Sequence, residues 1–412
     1  MHPQRMPAAN PLEGERGLDM TTDKRRILVV CTWPLGGIRT FLKYTYRHFP
    51  KERFEIIVLA NPSLERDAFA RDLTEEHIHV IWSEPWLGRN ILFARVARQL
   101  RHGQFDCIHS QGFTAAFHVA VANHFPRIPH VLTMHGILEP KYFRGWLGPF
   151  KRFFFRRVLG NVTVFHAVGQ DMLDHFQREM PQLRTGPSRY AVIRNGIDVD
   201  RFRGVSPNAR PELRQLLGCS SDTFVFGYFG RFMPEKGFDL IIKAAERLVR
   251  ANDAPLSFRI LAMGSGDYET WVKTLVKKAG LDEVIRFLPF RPDVDRFIKG
   301  CDAVVIPSRH EAFPLLPCEA LVAGIPVIAS DAMGLREAVR DTPAVVFPAD
   351  DHGALAEAMR RAMTDGTIKP LVVRFQPEAA ERFDVRRSAG QLIVLLEELI
   401  RPVNQVKRGE VS

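Results

Sequence analysis

The chain has 412 residues, of which 46% are hydrophobic, 25% charged and 10% aromatic. This is the composition of a globular protein with room for two or three domains, and it excludes a mainly disordered, collagen-like or disulfide-framework protein. The five cysteines are scattered, odd in number and without a C-x-x-C pair, which predicts free thiols, no zinc site and a cytoplasmic location. No apolar run reaches the roughly 20 residues of a membrane span. Residues 1–23 lack an apolar core and predict a disordered tail rather than a signal peptide.

The positive charge lies in the first half of the chain. Residues 1–203 contain 29 Lys and Arg against 19 Asp and Glu, whereas residues 204–412 contain 28 of each. Such a basic half suits a nucleic acid, an anionic membrane surface or a phosphorylated ligand.

Short apolar runs rich in β-formers alternate with helical segments along the chain. Thirteen strands are predicted: Ile27–Cys31, Phe54–Leu59, Ile78–Trp82, Cys107–His109, His130–Thr133, Val162–His166, Ala191–Ile193, Phe224–Phe229, Phe258–Ala262, Val284–Phe287, Ala303–Ile306, Pro326–Ala329 and Val345–Phe347. Helices are predicted between them, for example over Gly237–Arg250 and Tyr268–Ala279. The alternation indicates parallel sheets with right-handed crossovers, and thirteen strands are too many for one open sheet.

We therefore predict two Rossmann-like α/β domains that face each other across a cleft. The first spans residues 24–203 and the second residues 204–384, while residues 385–412 form a C-terminal helix that packs back on the first domain. The boundary is placed at Arg203–Ser221, where glycine and proline suggest a linker. In such folds ligands bind at the carboxyl ends of the strands, so the site is expected in the cleft.

Two glycine-containing loops suit phosphate groups. Gly36 and Gly37 follow the first strand and precede a helix, an arrangement in which backbone N–H groups can approach an anion, although a plain tight turn explains them equally well. The second loop runs from Gly230 to Gly237, and its Arg231 and Lys236 suit a diphosphate or are simply solvated cations. The chain lacks G-x-G-x-x-G, which disfavours a nicotinamide dehydrogenase.

Two glutamates eight positions apart form the third motif. Glu311 lies in a loop after the strand Ala303–Ile306, and Glu319 is expected near the start of a helix that begins close to Leu315. The two carboxylates can frame one ligand, while free N–H groups near Leu315 and Leu316 can meet an anion. The alternative is a helix N-terminal charge beside a surface glutamate.

A basic and aromatic segment lies between residues 141 and 157 and contains no acidic residue. Its members are Lys141, Tyr142, Phe143, Arg144, Trp146, Phe150, Lys151, Arg152, Phe153, Phe154, Phe155, Arg156 and Arg157. The pattern is typical of a helix at an anionic membrane interface, and it also suits a lipid-diphosphate acceptor, a nucleic acid or a buried aromatic face with solvated arginines.

Taken in order, the motifs resemble those of family-4 retaining glycosyltransferases with the GT-B fold. The resemblance covers about residues 26–400 and includes the Gly-Gly loop, Thr133–Gly136, Asn195–Asp198, the Gly230–Gly237 loop, and the glutamate pair leading into Glu319–Ser330. It implies an enzyme that moves a sugar from a nucleotide-diphosphate sugar to an acceptor hydroxyl, with the donor held mainly by the C-terminal domain and no metal required.

The resemblance also implies roles for individual residues. Arg231 and Lys236 would neutralise the diphosphate, Glu311 would lie near the sugar hydroxyls and Glu319 near the ribose. Gly36 and Gly37 would close on the phosphates, and His135 would face the reacting sugar, with His109 a weaker candidate. The donor-binding set is Gly36, Gly37, Gly230, Arg231, Lys236, Glu311, Phe313, Leu315, Leu316 and Glu319, of which Arg231, Lys236 and Glu311 join His135 as catalytic residues.

Two positions depart from the family pattern. Pro314 stands where a glycine is frequent and removes a backbone donor, and Arg39 stands where many members have Glu or Gln. Both change details of phosphate and sugar contact more than the class of reaction.

The partners implied are a nucleotide-sugar donor, an acceptor glycan or lipid-linked sugar, and an anionic membrane surface, with no nucleic acid. The family context favours synthesis of a surface polysaccharide or glycolipid by a cytoplasmic enzyme attached to the inner face of the membrane. Lys141, Arg144, Trp146, Lys151, Arg152, Arg156 and Arg157 are the candidate membrane or acceptor residues. The alternatives are a nucleotide-sugar epimerase of the same fold and a non-catalytic protein that binds a nucleotide sugar.

Overall fold

The computed structural model describes residues 24–63, 66–83, 92–138, 143–206, 208–250 and 257–400. The predicted tail 1–23 and the last residues of the predicted C-terminal segment, 401–412, lie outside these ranges. The described residues form two parallel α/β units, as the alternation of strands and helices predicted.

The first unit contains a seven-stranded parallel sheet in the order β3-β2-β1-β4-β5-β6-β7. Its strands are β1 Arg25–Cys31, β2 Phe54–Ala60, β3 His79–Trp82, β4 Cys107–Gln111, β5 His130–Met134, β6 Val164–Ala167 and β7 Arg189–Val192. Its helices are α1 Gly37–Tyr46, α2 Arg66–Thr74, α3 Leu92–His102, α4 Gly112–Ala122, α5 Gly148–Leu159, α6 Gln170–Glu179 and α7 Pro181–Arg184.

The second unit contains a six-stranded parallel sheet in the order β10-β9-β8-β11-β12-β13. Its strands are β8 Phe224–Phe229, β9 Phe258–Met263, β10 Ile285–Leu288, β11 Ala303–Ile306, β12 Val327–Ser330 and β13 Val345–Phe347. The helices from the crossover onward are α8 Val199–Arg203, α9 Ala209–Leu217, α10 Phe238–Arg250, α11 Glu269–Lys278, α12 Val294–Gly300, α13 Leu316–Val322, α14 Leu335–Ala338, α15 His352–Thr364, α16 Ile368–Arg382 and α17 Val385–Ile400, with a 3₁₀ turn at Pro234–Lys236.

The segment predicted as a linker is in fact largely helical. Helix α9 occupies residues 209–217 and packs on α12 of the second unit. Pro211 lies in the first turn of the helix, where its missing N–H costs nothing, and Gly218 ends the helix in the left-handed conformation at φ 62°. Proline and glycine therefore mark the two ends of a helix that lies within the predicted boundary Arg203–Ser221.

The last helix returns to the first unit. Leu392, Leu395 and Leu396 of α17 are buried in the same core cluster as Ile27 and Val29 of β1. The chain therefore crosses between the units twice, and the two crossings meet where Ile197 donates and accepts backbone hydrogen bonds with Phe383 and Val385 at 2.8 and 3.0 Å.

Polar contacts also join the two units beside the second crossing. The Asp171 carboxylate at the start of α6 accepts from the Arg336 guanidinium at 2.8 and 3.0 Å and from the Gly334 N–H at 3.0 Å. The buried Glu337 carboxylate accepts from Arg194 at 2.7 Å and from the Asp171 N–H at 2.9 Å. These reciprocal contacts fix α6 of one unit against α14 of the other.

Candidate active site

Each sheet reverses its strand order at one point, and the loops that carry the candidate residues follow the strands beside these points. In the first sheet the reversal lies between β1 and β4, and in the second it lies between β8 and β11. Loops at the carboxyl ends of strands beside such a reversal form the ligand crevice of doubly wound folds. The loop with Gly36 follows β1, the loop with Lys236 follows β8, and the loop with Glu311 follows β11.

Lys236 and Glu311 form an ion pair in this crevice. The Lys236 ammonium lies 2.7 Å from Oε1 and 2.9 Å from Oε2 of Glu311, and the Ser308 hydroxyl donates to Oε1 at 2.7 Å. Both charged side chains are partly buried, with 26% and 13% of their surface exposed. The predicted phosphate cation and the predicted sugar carboxylate therefore lie side by side and neutralise each other.

Arg309 braces the two loops that carry this pair. Its guanidinium donates to both oxygens of Asp239 at 3.0 and 2.9 Å and to Asp350 at 2.6 Å. Its backbone N–H donates to the Glu235 carbonyl at 2.8 Å. A two-pronged contact of this kind fixes direction as well as distance, so the loop positions are held before any ligand arrives.

Close backbone contacts require glycine at two positions of the site, Gly237 and Gly264, but not at Gly230. Gly237 adopts φ +67°, and a Cβ there would lie 2.1 Å from the Pro307 carbonyl oxygen. A Cβ on Gly264 would lie 2.0 Å from the Gly230 carbonyl oxygen, whereas one on Gly230 would meet nothing closer than 3.5 Å. The tight approach at this strand end is therefore made by the glycines at 237 and 264.

Arg231 provides an exposed positive charge at the site. Its side chain is exposed and makes no hydrogen bond or ion pair with any residue that the structure describes. Because Lys236 is already neutralised by Glu311, Arg231 supplies the uncompensated positive charge of this loop.

Glu319 lies on α13, apart from the Lys236–Glu311 pair. It is partly buried, and burial raises the pKa of its carboxyl to about 7; the Arg201 guanidinium opposes the rise and Asp295 adds to it. Arg201 itself donates to the Tyr44 hydroxyl at 3.0 Å and to Asp295 at 2.8 Å. Glu319 thus lies in a group of side chains drawn from α1, α8 and α12, and the two glutamates do not contact each other.

The remaining predicted donor residues lie in the loop before α13. The Phe313 side chain is buried in a core cluster that includes Val168, and its carbonyl accepts from Asn195 at 3.4 Å. Leu315 and Leu316 begin α13, and no side chain caps this helix. Phe313 therefore contributes packing, whereas the backbone of the two leucines remains open to a ligand.

On the first unit, Gly36 and His135 lie at strand ends of the crevice. Gly36 precedes α1 with φ 55°, a conformation that favours glycine, and both Gly36 and Gly37 are exposed. His135 follows β5, and its Nε2 lies 2.7 Å from Gln111 Oε1. Burial lowers the pKa of His135 to about 3, so the imidazole is neutral at physiological pH. Arg39 pairs with Asp72 at 2.7 Å.

His109, the weaker histidine candidate, is fully buried beneath the crevice. Its ring contacts the Tyr46 hydroxyl at 2.6 Å and the Thr133 hydroxyl at 2.5 Å. Sequence inspection missed Gln111, because a polar residue at the end of a strand resembles an ordinary loop residue, and Tyr46, because it ends helix α1 and contacts His109 only through the fold. The spacing His109–Gln111 on one strand and Thr133–His135 on the next was the available signal.

Residues 148–157 of the basic and aromatic segment lie in helix α5 and residues 143–147 precede it, and much of the aromatic surface of this region is exposed. Trp146 is 90% exposed, Phe150 65% and Phe153 61%, and Phe125 at the end of the neighbouring α4 is also 90% exposed. Arg144, Lys151, Arg156 and Arg157 are exposed as well, whereas Lys141 lies outside the described residues. Together these side chains form a surface that we call the α5 patch.

Arg152 is the exception among the predicted cations of α5. It is partly buried, with its guanidinium 4.7 Å from the centre of the Phe143 ring, and it donates to the Glu179 carbonyl. Its charge is engaged in these internal contacts, so Arg152 is less available to a membrane surface than the exposed cations of the segment. Beside the patch, a cavity of about 250 Å³ is lined by Phe153, Arg156 and Arg157 and by residues that follow α5 or lie in and after α7.

Comparison with known proteins agrees with this geometry. Residues 35–201 match the family described as Glycosyltransferase Family 4, and residues 209–382 match Glycosyl transferases group 1. The chain is 29% identical over 312 residues to a D-inositol 3-phosphate glycosyltransferase of Saccharomonospora viridis, covering 72% of this chain and 70% of that protein.

Solved structures share the fold. The Anabaena protein HepE, crystallised with UDP and glucose, superposes with a TM-score of 0.76 at 25% identity over 91% of this chain and all of the other. WaaG, a glycosyltransferase involved in lipopolysaccharide biosynthesis, superposes with a TM-score of 0.68 over 90% of this chain and 99% of the other, and at 17% identity it shows the fold alone.

The two parallel units and the matched families define a glycosyltransferase of the GT-B fold. Within that class, the first unit matches glycosyltransferase family 4.

Proposed function

We propose that this glycosyltransferase takes its sugar from a nucleotide-diphosphate sugar and transfers it to an acceptor hydroxyl with retention of anomeric configuration. The observation that carries the proposal is the Lys236–Glu311 pair, joined at 2.7 Å beside the exposed Arg231. One short region thereby offers cations for a diphosphate and a carboxylate for sugar hydroxyls. The presence of UDP, glucose and UDP-glucose in the crystallised HepE complexes supports a donor of this type.

Different residues bind different parts of the donor. Arg231 and Lys236 hold the diphosphate, Glu311 accepts from hydroxyls of the sugar, and Glu319 accepts from the ribose. The backbone of Leu315 and Leu316 and the glycines Gly36 and Gly37 supply N–H groups to the phosphates. His135 faces the sugar from the opposite unit.

The leaving group decides the mechanism. A nucleotide diphosphate departs readily, so the main task of the protein is to stabilise the charge that develops on it, and positively charged side chains perform this task without a metal. The acceptor hydroxyl attacks from the side on which the nucleotide leaves, and a phosphate oxygen takes its proton. Lys236 meets the growing charge by moving part of its hydrogen bonding from Glu311 to the phosphate.

The α5 patch supports an acceptor at a membrane surface. Exposed aromatic rings beside exposed cations suit the headgroup region of an anionic bilayer. Among the described residues no helix is long and apolar enough to cross a bilayer. We therefore place the enzyme at the inner face of the membrane, where it would extend a lipid-linked sugar for a surface polysaccharide or glycolipid.

A second acceptor class is favoured by the relatives. Several curated relatives are named D-inositol 3-phosphate glycosyltransferase, and the first 203 residues of this chain carry the excess of positive charge. A small phosphorylated acceptor would suit that charge as well as a lipid does.

The proposal is tested by measuring nucleotide release from a panel of nucleotide sugars, with inositol 3-phosphate or anionic lipid extract as acceptor. We expect release from one donor that depends on acceptor and persists in excess chelator, with a product of the same anomeric configuration as the donor by NMR. Loss of activity in chelator that returns with Mg²⁺ or Mn²⁺ would contradict the metal-free mechanism. An inverted product would contradict retention.

A further inference from the structure

A continuous line of buried polar side chains runs beneath His135. The Tyr46 hydroxyl lies 2.6 Å from His109 Nδ1, and His109 Nε2 lies 2.5 Å from the Thr133 hydroxyl. The same hydroxyl lies 2.8 Å from His166 Nδ1, and His166 Nε2 ends the line on the Ile193 carbonyl at 3.0 Å. All four polar side chains are buried.

The carbonyl at the end fixes the direction of every bond. A carbonyl only accepts, so His166 carries its proton on Nε2, and its Nδ1 must accept from the Thr133 hydroxyl. That hydroxyl has then used its one proton, so it accepts from His109 Nε2–H. His109 is left with Nδ1 as an acceptor, and the Tyr46 hydroxyl donates to it.

The hydrogen-bond directions assigned above require both histidines of the line to be neutral, and both are. Burial lowers the pKa of His166 to about 4, and burial together with the neighbouring His166 and His135 lowers the pKa of His109 well below its ordinary value. A charged imidazole would donate from both nitrogens and would break the order of the line.

Gln111, on the same strand as His109, holds His135 directly. The Gln111 side chain is buried, and its amide nitrogen has no hydrogen-bond partner among the described residues. The amide oxygen faces His135 Nε2 at 2.7 Å, and this nitrogen must donate.

The remaining nitrogen of His135 is available to a ligand. His135 Nδ1 has no hydrogen-bond partner among the described residues, and it is not sealed from solvent as the unpaired Nδ1 of His130 is. The Phe41 ring packs edge-on against the imidazole at 4.8 Å between ring centres and restricts its rotation.

We propose that Gln111 is a positioning residue that holds His135 as the Nε2–H tautomer and presents the Nδ1 lone pair to the crevice as an acceptor for a sugar hydroxyl. The part that concerns the sugar rests on the proposed function, whereas the tautomer is a property of the free protein. The tautomer of a histidine is set by the bond that its other nitrogen makes, and here that bond is the 2.7 Å contact between His135 Nε2 and Gln111 Oε1.

The tautomer is measured by long-range ¹⁵N–¹H NMR of the free protein with ¹⁵N-labelled histidine, with His135 assigned by comparison with His135→Asn. We expect a protonated Nε2 and an unprotonated Nδ1. A proton on Nδ1 in the wild-type protein would overturn the proposal. This experiment uses no donor, so it decides the tautomer even if the proposed function fails.

Variants of Gln111 then connect the tautomer with catalysis. Gln111→Leu removes the acceptor, so we expect a mixture of tautomers and a fall in kcat of roughly ten- to a hundredfold with little change in the KM of the donor. Gln111→Glu keeps an acceptor for Nε2–H and should restore the tautomer and most of kcat.

Ser110→Ala is the matched control. It removes another buried hydrogen bond on the same strand, from Ser110 to His130 at 2.8 Å, outside the line. We expect it to leave the His135 tautomer and kcat unchanged. If Gln111→Leu keeps the wild-type tautomer, or if Ser110→Ala lowers kcat as much as Gln111→Leu does, the positioning role is wrong.

Discussion

Arg231 is an exposed cation of the candidate site, and it makes no ion pair with any residue that the structure describes. If it stabilises the departing diphosphate, Arg231→Ala should lower kcat about a hundredfold, corresponding to roughly 3 kcal/mol of transition-state stabilisation. The melting temperature should not change, because the side chain is exposed. Steady-state kinetics with the preferred donor and a thermal melt measure both effects. Near-normal turnover would remove Arg231 from the diphosphate site.

The Lys236–Glu311 pair predicts strongly non-additive substitutions. Removing Lys236 leaves a partly buried carboxylate without its cation, and removing Glu311 leaves Lys236 bound more loosely. This is tested by a double-mutant cycle of Lys236→Met, Glu311→Gln and the double variant, with the free energy of unfolding measured in urea. The loss in the double variant should be about 1–2 kcal/mol smaller than the sum of the losses in the two single variants. Additive effects on unfolding would show that the pair contributes little in the free protein.

Glu319 predicts a stability that depends on pH in a defined sense. Its pKa of about 7 lies above that of an unfolded glutamate, so between pH 4.5 and 7 the native state binds the proton more tightly and stability falls as pH rises. The Glu319→Gln variant lacks the carboxyl, so it does not undergo this fall in stability as the pH rises. The difference in unfolding free energy between variant and wild type should therefore grow by about 2 kcal/mol from pH 5 to pH 8.

The reading at pH 5 serves as the internal control for this prediction, because the carboxyl is then protonated in the native protein and resembles the amide. A difference that stays constant from pH 5 to pH 8 would contradict the raised pKa. Donor affinity should fall in Glu319→Gln at pH 8, since an amide is a weaker acceptor for ribose hydroxyls than a carboxylate.

At the scale of elements, the positions of all thirteen strands were predictable from sequence. Strands such as Val327–Ser330 are buried on both faces, so they consist of continuous apolar residues that stand out in the chain. The ends were less visible: β4 continues through Ser110 to Gln111, beyond the predicted end at His109, and the polar side chains of these two residues contact His130 and His135. The same property hid the buried line of side chains beneath His135.

The candidate site was predictable in part for a related reason. The loops with Gly36, Lys236 and Glu311 follow strands, and topology alone brings them to the crevice. The ion pair between Lys236 and Glu311, and the commitment of Arg152 to Phe143 and Glu179, depend on side-chain distances between residues far apart in sequence. No local pattern contains that information.

Helix α5 predicts a membrane association that depends on salt. Reversing Lys151, Arg156 and Arg157 to glutamate should weaken binding to anionic vesicles by about 3 kcal/mol or more, since each cation contributes roughly 1 kcal/mol at such a surface. Flotation of vesicles at increasing salt measures the effect, which should vanish as the Debye length shrinks.

A variant with the same change of charge elsewhere provides the control. Lys277, Lys278 and Arg286 are exposed on the second unit, and their replacement by glutamate should leave vesicle binding nearly intact. Equal losses in the two variants would indicate attraction to net charge alone, and no binding by the wild-type protein at low salt would point to a soluble acceptor.

At the scale of the whole molecule, Gly196 is the point at which the two crossings touch. A Cβ there would lie 2.4 Å from Val385 Cα and 2.6 Å from its nitrogen, both backbone atoms that cannot move aside alone. Gly196→Ala should therefore separate the crossings and reduce the free energy of unfolding by about 1–3 kcal/mol, measured by urea denaturation.

Gly390 of α17 is the matched position for this substitution, because a Cβ there meets nothing within 4 Å. Gly390→Ala should stabilise the protein by about 0.5–1 kcal/mol through the helix propensity of alanine. A Gly196→Ala protein as stable as Gly390→Ala would show that the crossings are free to separate.

The burial of α17 in the first unit has a consequence for biosynthesis. The ribosome releases β1 before the second unit, yet the leucines at 392–396 that cover its core cluster follow the second unit in the chain. Domains made from continuous segments can fold in the order in which they emerge. Here the sheet of the second unit is released in full before the first unit is complete, so part of the apolar surface of the nascent first sheet stays uncovered until α17 emerges, and a chain that stops short of α17 would leave it so.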